Sequence, residues 1–183
     1  MIAGIAKGHT LIAPKGMKTR PTQDRVREAI FNVLAVRIPG SRVLDLFAGS
    51  GALGIEALSR GAAFCVFSDW DKQAIRAIED NLKRTKFTDN ASIYNSSAER
   101  LLDFLQAKQE VFDLVFLDPP YESGVYERIL DKLLQHGLLA NGATIVAESS
   151  CKLELRKQYA SLTMVKQTRY GDTLVSYYEK MEE

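Results

Sequence analysis

Val43-Leu44-Asp45-Leu46-Phe47-Ala48-Gly49-Ser50-Gly51-Ala52-Leu53-Gly54 reads as a short apolar strand that runs through a glycine-rich turn into a helix. Gly49, Gly51 and Gly54 match a G-x-G-x-x-G spacing. The next apolar run ends in Asp69, close to the distance expected of an acid that grips a ribose. Glycines let the backbone approach a ligand, and the helix start offers N–H groups and a positive dipole end to an anionic group. The expectation is a nucleoside-cofactor site, set against a tight turn of purely structural purpose.

Outward from this stretch, short apolar β-rich runs alternate with stretches of helical periodicity, the signature of a parallel sheet covered by helices. The strands are expected at 43–47, 64–68, 92–95, 112–117 and 143–147, and the helices near 52–60, 71–85, 98–107 and 124–136. The first four strands are too apolar for burial on one side only, so helices should cover both faces of a doubly wound α/β sheet. Two further runs, about 161–169 and 173–180, flank Gly171-Asp172 and read as an antiparallel hairpin. Ahead of the first strand, a helix over 21–34 would place Val26, Ala29, Ile30, Val33 and Leu34 on one docked stripe, with Arg25 and Arg27 nearer solvent. Residues 1–16, punctuated by Gly4, Gly8, Pro14 and Gly16, look like a small hairpin or an arm. The expected division is a basic arm and helix over 1–40 and a catalytic body over 41–183.

A chain of 183 residues with 46% hydrophobic and 26% charged content suits one ordinary globular domain with an appendage, and argues against disorder or a disulfide scaffold. No apolar run approaches the roughly 20 residues needed to cross a bilayer, and the start lacks the pattern of a signal peptide, so a cytoplasmic location is expected. Cys65 and Cys151 stand far apart, and His9 and His136 are the only imidazoles, so no metal centre is expected. The net charge of +1 hides a split. Residues 1–42 carry eight basic groups against Asp24 and Glu28, giving +6, while the remainder carries 16 basic and 21 acidic groups, giving −5. A basic leading segment suggests a polyanion partner, since clustered Lys and Arg displace counterions from phosphates. The bland alternative is a solvated surface that touches nothing.

Two features sharpen the choice of cofactor and reaction. Asp45 would face the pyrophosphate of a dinucleotide unfavourably but would attract the ammonium of a methionine moiety, which favours S-adenosylmethionine over NAD; alternatively, Asp45 is a buried structural acid bonded to loop amides. After the fourth strand comes Asp118-Pro119-Pro120-Tyr121, at the carboxyl edge of the sheet where ligands bind in open α/β folds. The prolines fix their φ angles and lack N–H groups, so the turn presents a rigid array of acceptors. Acceptors suit a donor substrate such as the exocyclic amine of a nucleobase. Bonds from its two N–H groups to Asp118 and the Pro119 carbonyl would favour a tetrahedral, nucleophilic nitrogen, while Tyr121 offers a stacking face. A stiff loop that merely ends a strand is the competing reading.

On these motifs the sequence resembles the class I S-adenosylmethionine-dependent methyltransferases that modify nucleobase amines. More closely, it resembles the bacterial 16S ribosomal RNA (guanine-966-N2)-methyltransferase family, RsmD. The matching pieces are Arg20-Pro-Thr-Gln-Asp-Arg-Val-Arg-Glu28, Leu44 to Gly54 continuing to Arg60, and Val115-Phe-Leu-Asp-Pro-Pro-Tyr121. The resemblance implies a Rossmann-like seven-stranded sheet closed by the hairpin, and a guanine amine of 16S rRNA in the small ribosomal subunit as target. It implies that Asp45, Phe47, Ala48, Gly49, Ser50 and Gly51 hold the methionine end and Asp69 the ribose. Trp70 would cover the adenine, unless it is a partly exposed packing aromatic. Ser97, with Ala98, falls where family members often place Asp or Asn against the adenine amine. Lys7, Lys18, Arg20, Thr22, Arg25 and Arg27 become RNA-contact candidates. Competing functions are an adenine-N6 or cytosine-N4 DNA methyltransferase, an NAD-linked oxidoreductase, and a non-catalytic RNA-binding module. The DNA enzyme is disfavoured because 183 residues leave little room for a sequence-reading domain.

Overall fold

The computed structural model describes residues 1–14, 21–120 and 124–181, with the backbone only at Pro21 and Thr22. Among these residues a single mixed sheet has the order β3-β2-β1-β4-β5-β8-β7-β6. Its strands are β1 (Arg42–Leu46), β2 (Phe64–Asp69), β3 (Ala91–Asn95), β4 (Phe112–Leu117), β5 (Leu139–Ser150), β6 (Gln158–Tyr159), β7 (Leu162–Tyr170) and β8 (Thr173–Lys180). The helices are α1 (Pro21–Val33), α2 (Ala52–Ser59), α3 (Lys72–Thr85), α4 (Ala98–Ala107) and α5 (Val125–Gln135). β1 to β5 run parallel, and β8 pairs antiparallel with β5. The doubly wound α/β expectation therefore holds, with eight strands in place of seven. The extra strand is the two-residue β6, which pairs with β7 at the sheet's edge and is too short to leave a periodic pattern in the sequence.

Successive strand residues point to opposite faces, so each strand feeds two cores. Leu44, Leu46, Val66, Val115, Leu117, Ile145 and Ala147 pack with α4 and α5. Val43, Cys65, Phe67, Leu114, Phe116, Val146, Val175 and Tyr177 pack on the other side with α1, α2 and α3. This division places the site, because every strand residue in the second set predicts the direction of the residue two positions further on.

Three local expectations are corrected in whole or in part. Of the hairpin and the arm expected of the leading segment, the arm holds for residues 1–14, which form turns and lie along α2. The amides of Ile2 and Ala3 donate to the buried Glu56 carboxylate at 2.9 and 3.0 Å, and those of Ile5 and Ala6 donate to the Ser59 carbonyl and hydroxyl, both at 2.9 Å. The fifth strand runs to Ser150 instead of stopping at Ala147, because β8 continues to pair with it after β4 has ended. Asn141-Gly142, which looks like a turn, is absorbed by a register shift between Phe112 and Leu114. The third correction lies in α1. Its buried stripe is Val26, Ile30, Phe31 and Leu34, while Val33 is 37% exposed. The stripe is rotated toward Phe31, and Arg27, one turn before Phe31, turns inward with it.

The glycine at the third motif position is a packing requirement. A Cβ on Gly54 would stand 2.3 Å from a Phe67 ring carbon and 2.7 Å from the Cys65 sulfur, so α2 lies closer to β2 than any side chain permits. Gly54→Ala is expected to destabilise the fold by about 1–3 kcal/mol, the usual cost of overpacking, measured as a drop in the urea midpoint at unchanged slope.

Candidate active site

Residues facing the α1–α3 side at the carboxyl ends of the central strands are acidic in four neighbouring strands. Asp69 follows Cys65 and Phe67 along β2, Asp45 follows Val43 on β1, Asp118 follows Leu114 and Phe116 after β4, and Glu148 follows Val146 on β5. Asp45 lies in register with Phe67 and Phe116. Phe116 lies in register with Val146. Asp69, Asp118 and Glu148 therefore stand at one level, with Asp45 one pleat below, about 7 Å along the strand. The row follows from period-two alternation and parallel register.

Their charges crowd one another. Burial, with the Asp118 and Asp69 charges adding and the Gly54 amide opposing, pushes the Asp45 carboxyl up to about 7. Crowding by the surrounding protein likewise raises Asp118 to about 6, although the residue stays open to solvent. Glu148 is pushed up to about 8 by burial and then by Asp118 and Asp45, with only Arg27 pulling the other way. Four acids, opposed among the described residues by the Arg27 charge on Glu148, form a row that disfavours a phosphate and favours a positively charged ligand.

The glycine turn closes one side of this row. Phe47 has φ 62, an unusual conformation for a bulky residue, and Gly51 follows at φ 76 as the residue before α2. The Ala48 amide donates to the Ser68 carbonyl at 2.9 Å, and the Gly49 amide to the Asp69 carboxylate at 2.9 Å. No side chain next to α2 caps its first turn. Asp45 does so from nine residues upstream, accepting the Gly54 amide at 2.9 Å. The alternative reading of Asp45, a buried acid bonded to loop amides, thus describes one of its oxygens, while its charge still acts on the row. Ser50 joins the arm through Asn81, whose amide nitrogen donates to the Ser50 and Ile12 carbonyls at 2.9 Å each, and whose oxygen accepts the Ile12 amide at 2.7 Å.

At the outer end, Asp69 accepts the Asp71 amide at 2.9 Å, and Trp70 is 71% exposed, its face free of packing. Asn95, which the sequence reading passed over, donates to the Asp69 and Trp70 carbonyls at 3.0 and 2.9 Å and fixes this turn. Its signal was its place at the end of β3, level with Asp69. Ser97 is the capping residue of α4, accepting the Arg100 amide at 3.4 Å, and Ala98 is buried in the α4–α5 core. Pro119 is buried beside Asp118, and Pro120 is exposed. Tyr121, Lys18 and Arg20 lie outside the described residues, as does the Thr22 side chain. Lys7 and Arg25 are exposed. Contrary to expectation, the Arg27 side chain is only 16% exposed; it pairs with Asp24 at 2.7 Å and turns toward Glu148.

A family model described as "Conserved hypothetical protein 95" matches residues 1–179. The chain is 42% identical over 180 residues to "Putative rRNA methyltransferase YlbH" of Bacillus subtilis (strain 168), covering 98% of both chains. It is 37% identical over 180 residues to "Ribosomal RNA small subunit methyltransferase D" of Escherichia coli (strain K12), covering 98% of this chain and 89% of that one. Among solved structures, "Putative methyltransferase yhhF from Escherichia coli" superposes with a TM-score of 0.87 at 33% identity, over 100% of this chain and 97% of that one.

Proposed function

Since the chain belongs to the family described as conserved hypothetical protein 95, we propose that it transfers a methyl group from S-adenosylmethionine to the exocyclic N2 amine of a guanine in 16S rRNA, the residue at position 966, in the small ribosomal subunit. The observation that carries this reading is the acidic row Asp69-Asp45-Asp118-Glu148 beside a glycine turn. When bound, the cofactor supplies a methyl group on a positively charged sulfur. A cationic sulfur and ammonium suit a row of mutually repelling carboxylates, whereas the pyrophosphate of a dinucleotide would meet those same charges; this opposes the oxidoreductase reading.

Each residue then has a physical task. The turn from Phe47 to Gly51 and the free oxygen of Asp45 hold the methionine end. Asp69, whose carboxylate is already oriented by the Gly49 and Asp71 amides, accepts from the ribose hydroxyls. Trp70 lends its free face to the adenine, and Ser97 and Ala98 bound the adenine edge. Asp118 and the Pro119 carbonyl accept the two N–H groups of the amine and draw its nitrogen toward tetrahedral geometry, with Pro120 stiffening the bend and Tyr121 stacking on the base. Cytoplasmic action follows from an rRNA substrate. The arm and helix over 1–40, with Lys7, Lys18, Arg20, Thr22 and Arg25, form the unit that meets RNA, ahead of a methyltransferase body over 41–183.

Incubation with labelled S-adenosylmethionine and separate pools of small ribosomal subunits, free 16S rRNA, transfer RNA and DNA tests the whole reading. Label is expected only in 16S rRNA, as N2-methylguanine; label in DNA would establish the adenine or cytosine amine reading instead. The inward turn of Arg27 adds a contrast. Arg25→Gln should lower the salt slope of RNA binding by about 1, the loss of one phosphate contact, whereas Arg27→Gln should leave that slope as it is.

A further inference from the structure

Three buried polar side-chain atoms of the described residues lack a hydrogen-bond partner: Arg27 Nε, Tyr177 OH and Ser149 Oγ. Two of them belong to the surroundings of Glu148. Tyr177 sits on β8 in register with Val146 and faces the same side of the sheet, one strand beyond Glu148. Arg27 comes from α1, which covers that side, and its charge acts on Glu148. The site thus offers the Asp118 carboxylate and, from the adjacent strand whose backbone lies about 5 Å away, the Glu148 carboxylate, with the unpartnered Tyr177 hydroxyl on the next strand and the unpartnered Arg27 nitrogen on α1 beside Glu148. Asp118 and Glu148 accept only, when ionised, and the Arg27 nitrogen donates only.

The pairing edge of guanine presents a complementary order: the N2 amine, then N1–H, then the O6 acceptor. Adenine and cytosine place a ring-nitrogen lone pair beside the amine instead, and it would meet the second carboxylate. We infer that Glu148 reads guanine by accepting its N1–H while Asp118 holds N2, with the Arg27 Nε donating to O6, so that the pair Glu148–Arg27 sets the base specificity of the site. This rests on the guanine-N2 reading above and names the residues that enforce it. A buried donor and acceptor left unpartnered by the wrong base make such a site selective, as hydrogen-bonding sites reject analogues that lack a matching group far more strongly than apolar pockets reject a methylene. Burial raises the Glu148 carboxyl to about 8 in the bare site, with Arg27 opposing. Guanine N1–H and a cationic cofactor both favour its ionised form.

The test replaces guanine by 2,6-diaminopurine, which keeps the 2-amino group but has a lone pair at N1 and an amine in place of O6. Small subunits are reconstituted from two pieces of 16S rRNA so that the methylated position, mapped first by mass spectrometry on the wild-type product, carries either base. The wild-type protein is expected to prefer guanine by about 10²-fold or more in kcat/KM. Glu148→Gln, whose amide donates to the diaminopurine N1, should shrink that preference at least about tenfold, and Glu148→Asp should retain most of it. Glu148→Gln is neutral at every pH and should melt no lower than wild type above about pH 8, where the native carboxyl is ionised in the empty site, which checks its fold. Equal use of both bases by the wild-type protein overturns the inference without any variant, and an unchanged preference in Glu148→Gln does so too. If the wild-type protein binds cofactor yet methylates neither base, the guanine-N2 reading falls, and this inference with it.

Discussion

Asp118→Ala should slow methyl transfer in a single turnover by about 10² to 10³-fold while cofactor binding stays within a fewfold of wild type. The size is that of removing one preorganised hydrogen-bond partner of the transition state. The amine of guanine is a poor nucleophile because its lone pair is delocalised into the ring, and the bond to Asp118 matters most as the nitrogen leaves the ring plane. The loss therefore belongs in kcat rather than in KM. Burial holds Asp118 near 6, so at pH 7.5 it is mostly ionised and an acceptor. Asp118→Asn preserves shape but offers an amide that can present nitrogen to the amine, and it should fall between the wild-type and alanine rates. Full transfer by Asp118→Ala with bound cofactor would falsify the role of the proline turn.

Much of this site was legible because its parts are local or periodic. The glycine turn, the Asp-Pro-Pro turn and the ends of β1, β2 and β4 are marked by residues whose conformational restrictions are visible in one dimension, and the apolar strands pointed to a parallel sheet covered by helices, while the order of the strands comes from the structure. What escaped depends on rotation and register. Four consecutive positions of α1, Ile30 to Val33, contain three apolar residues, and choosing Val33 over Phe31 turns the helix by two residues, which moves Arg27 from solvent to a largely buried place beside Glu148. Glu148 is visible in the sequence as the acid that closes the fifth strand, but whether it meets the substrate or the solvent depends on β8, a distant part of the chain whose pairing carries β5 on to Ser150 and sets Glu148 level with Asp118. Asn81 and Glu56, whose hydrogen bonds hold the arm, had no visible reason for burial until the arm was placed over α2 and α3.

The acidic row also ties cofactor binding to pH, in the direction opposite to its effect on the empty fold. The facing groups are Asp69 on β2, Asp45 on β1, Asp118 after β4 and Glu148 on β5, with Arg27 on α1 and the Tyr177 hydroxyl on β8. Asp45, Asp118 and Glu148 have folded values of about 7, 6 and 8, above the ordinary carboxylate range. The folded chain holds these protons longer than the unfolded one does. Stability of the empty protein should therefore fall as pH rises from about 4 through 8, seen as a declining Tm. A cationic ligand reverses the preference, because it binds the ionised acids and expels their protons. Affinity for S-adenosylmethionine should rise by about 10 to 100-fold between pH 5.5 and 7.5, roughly one proton or fewer released per molecule bound at each step, and calorimetry in buffers of different ionisation enthalpy should register that release. S-adenosylhomocysteine, whose sulfur is neutral, should show a shallower rise, so the preference for the methyl donor over its product widens with pH. Equal slopes for the two ligands would mean that the carboxylates do not sense the sulfur's charge, and the acidic row would then owe its existence to something other than the methyl donor.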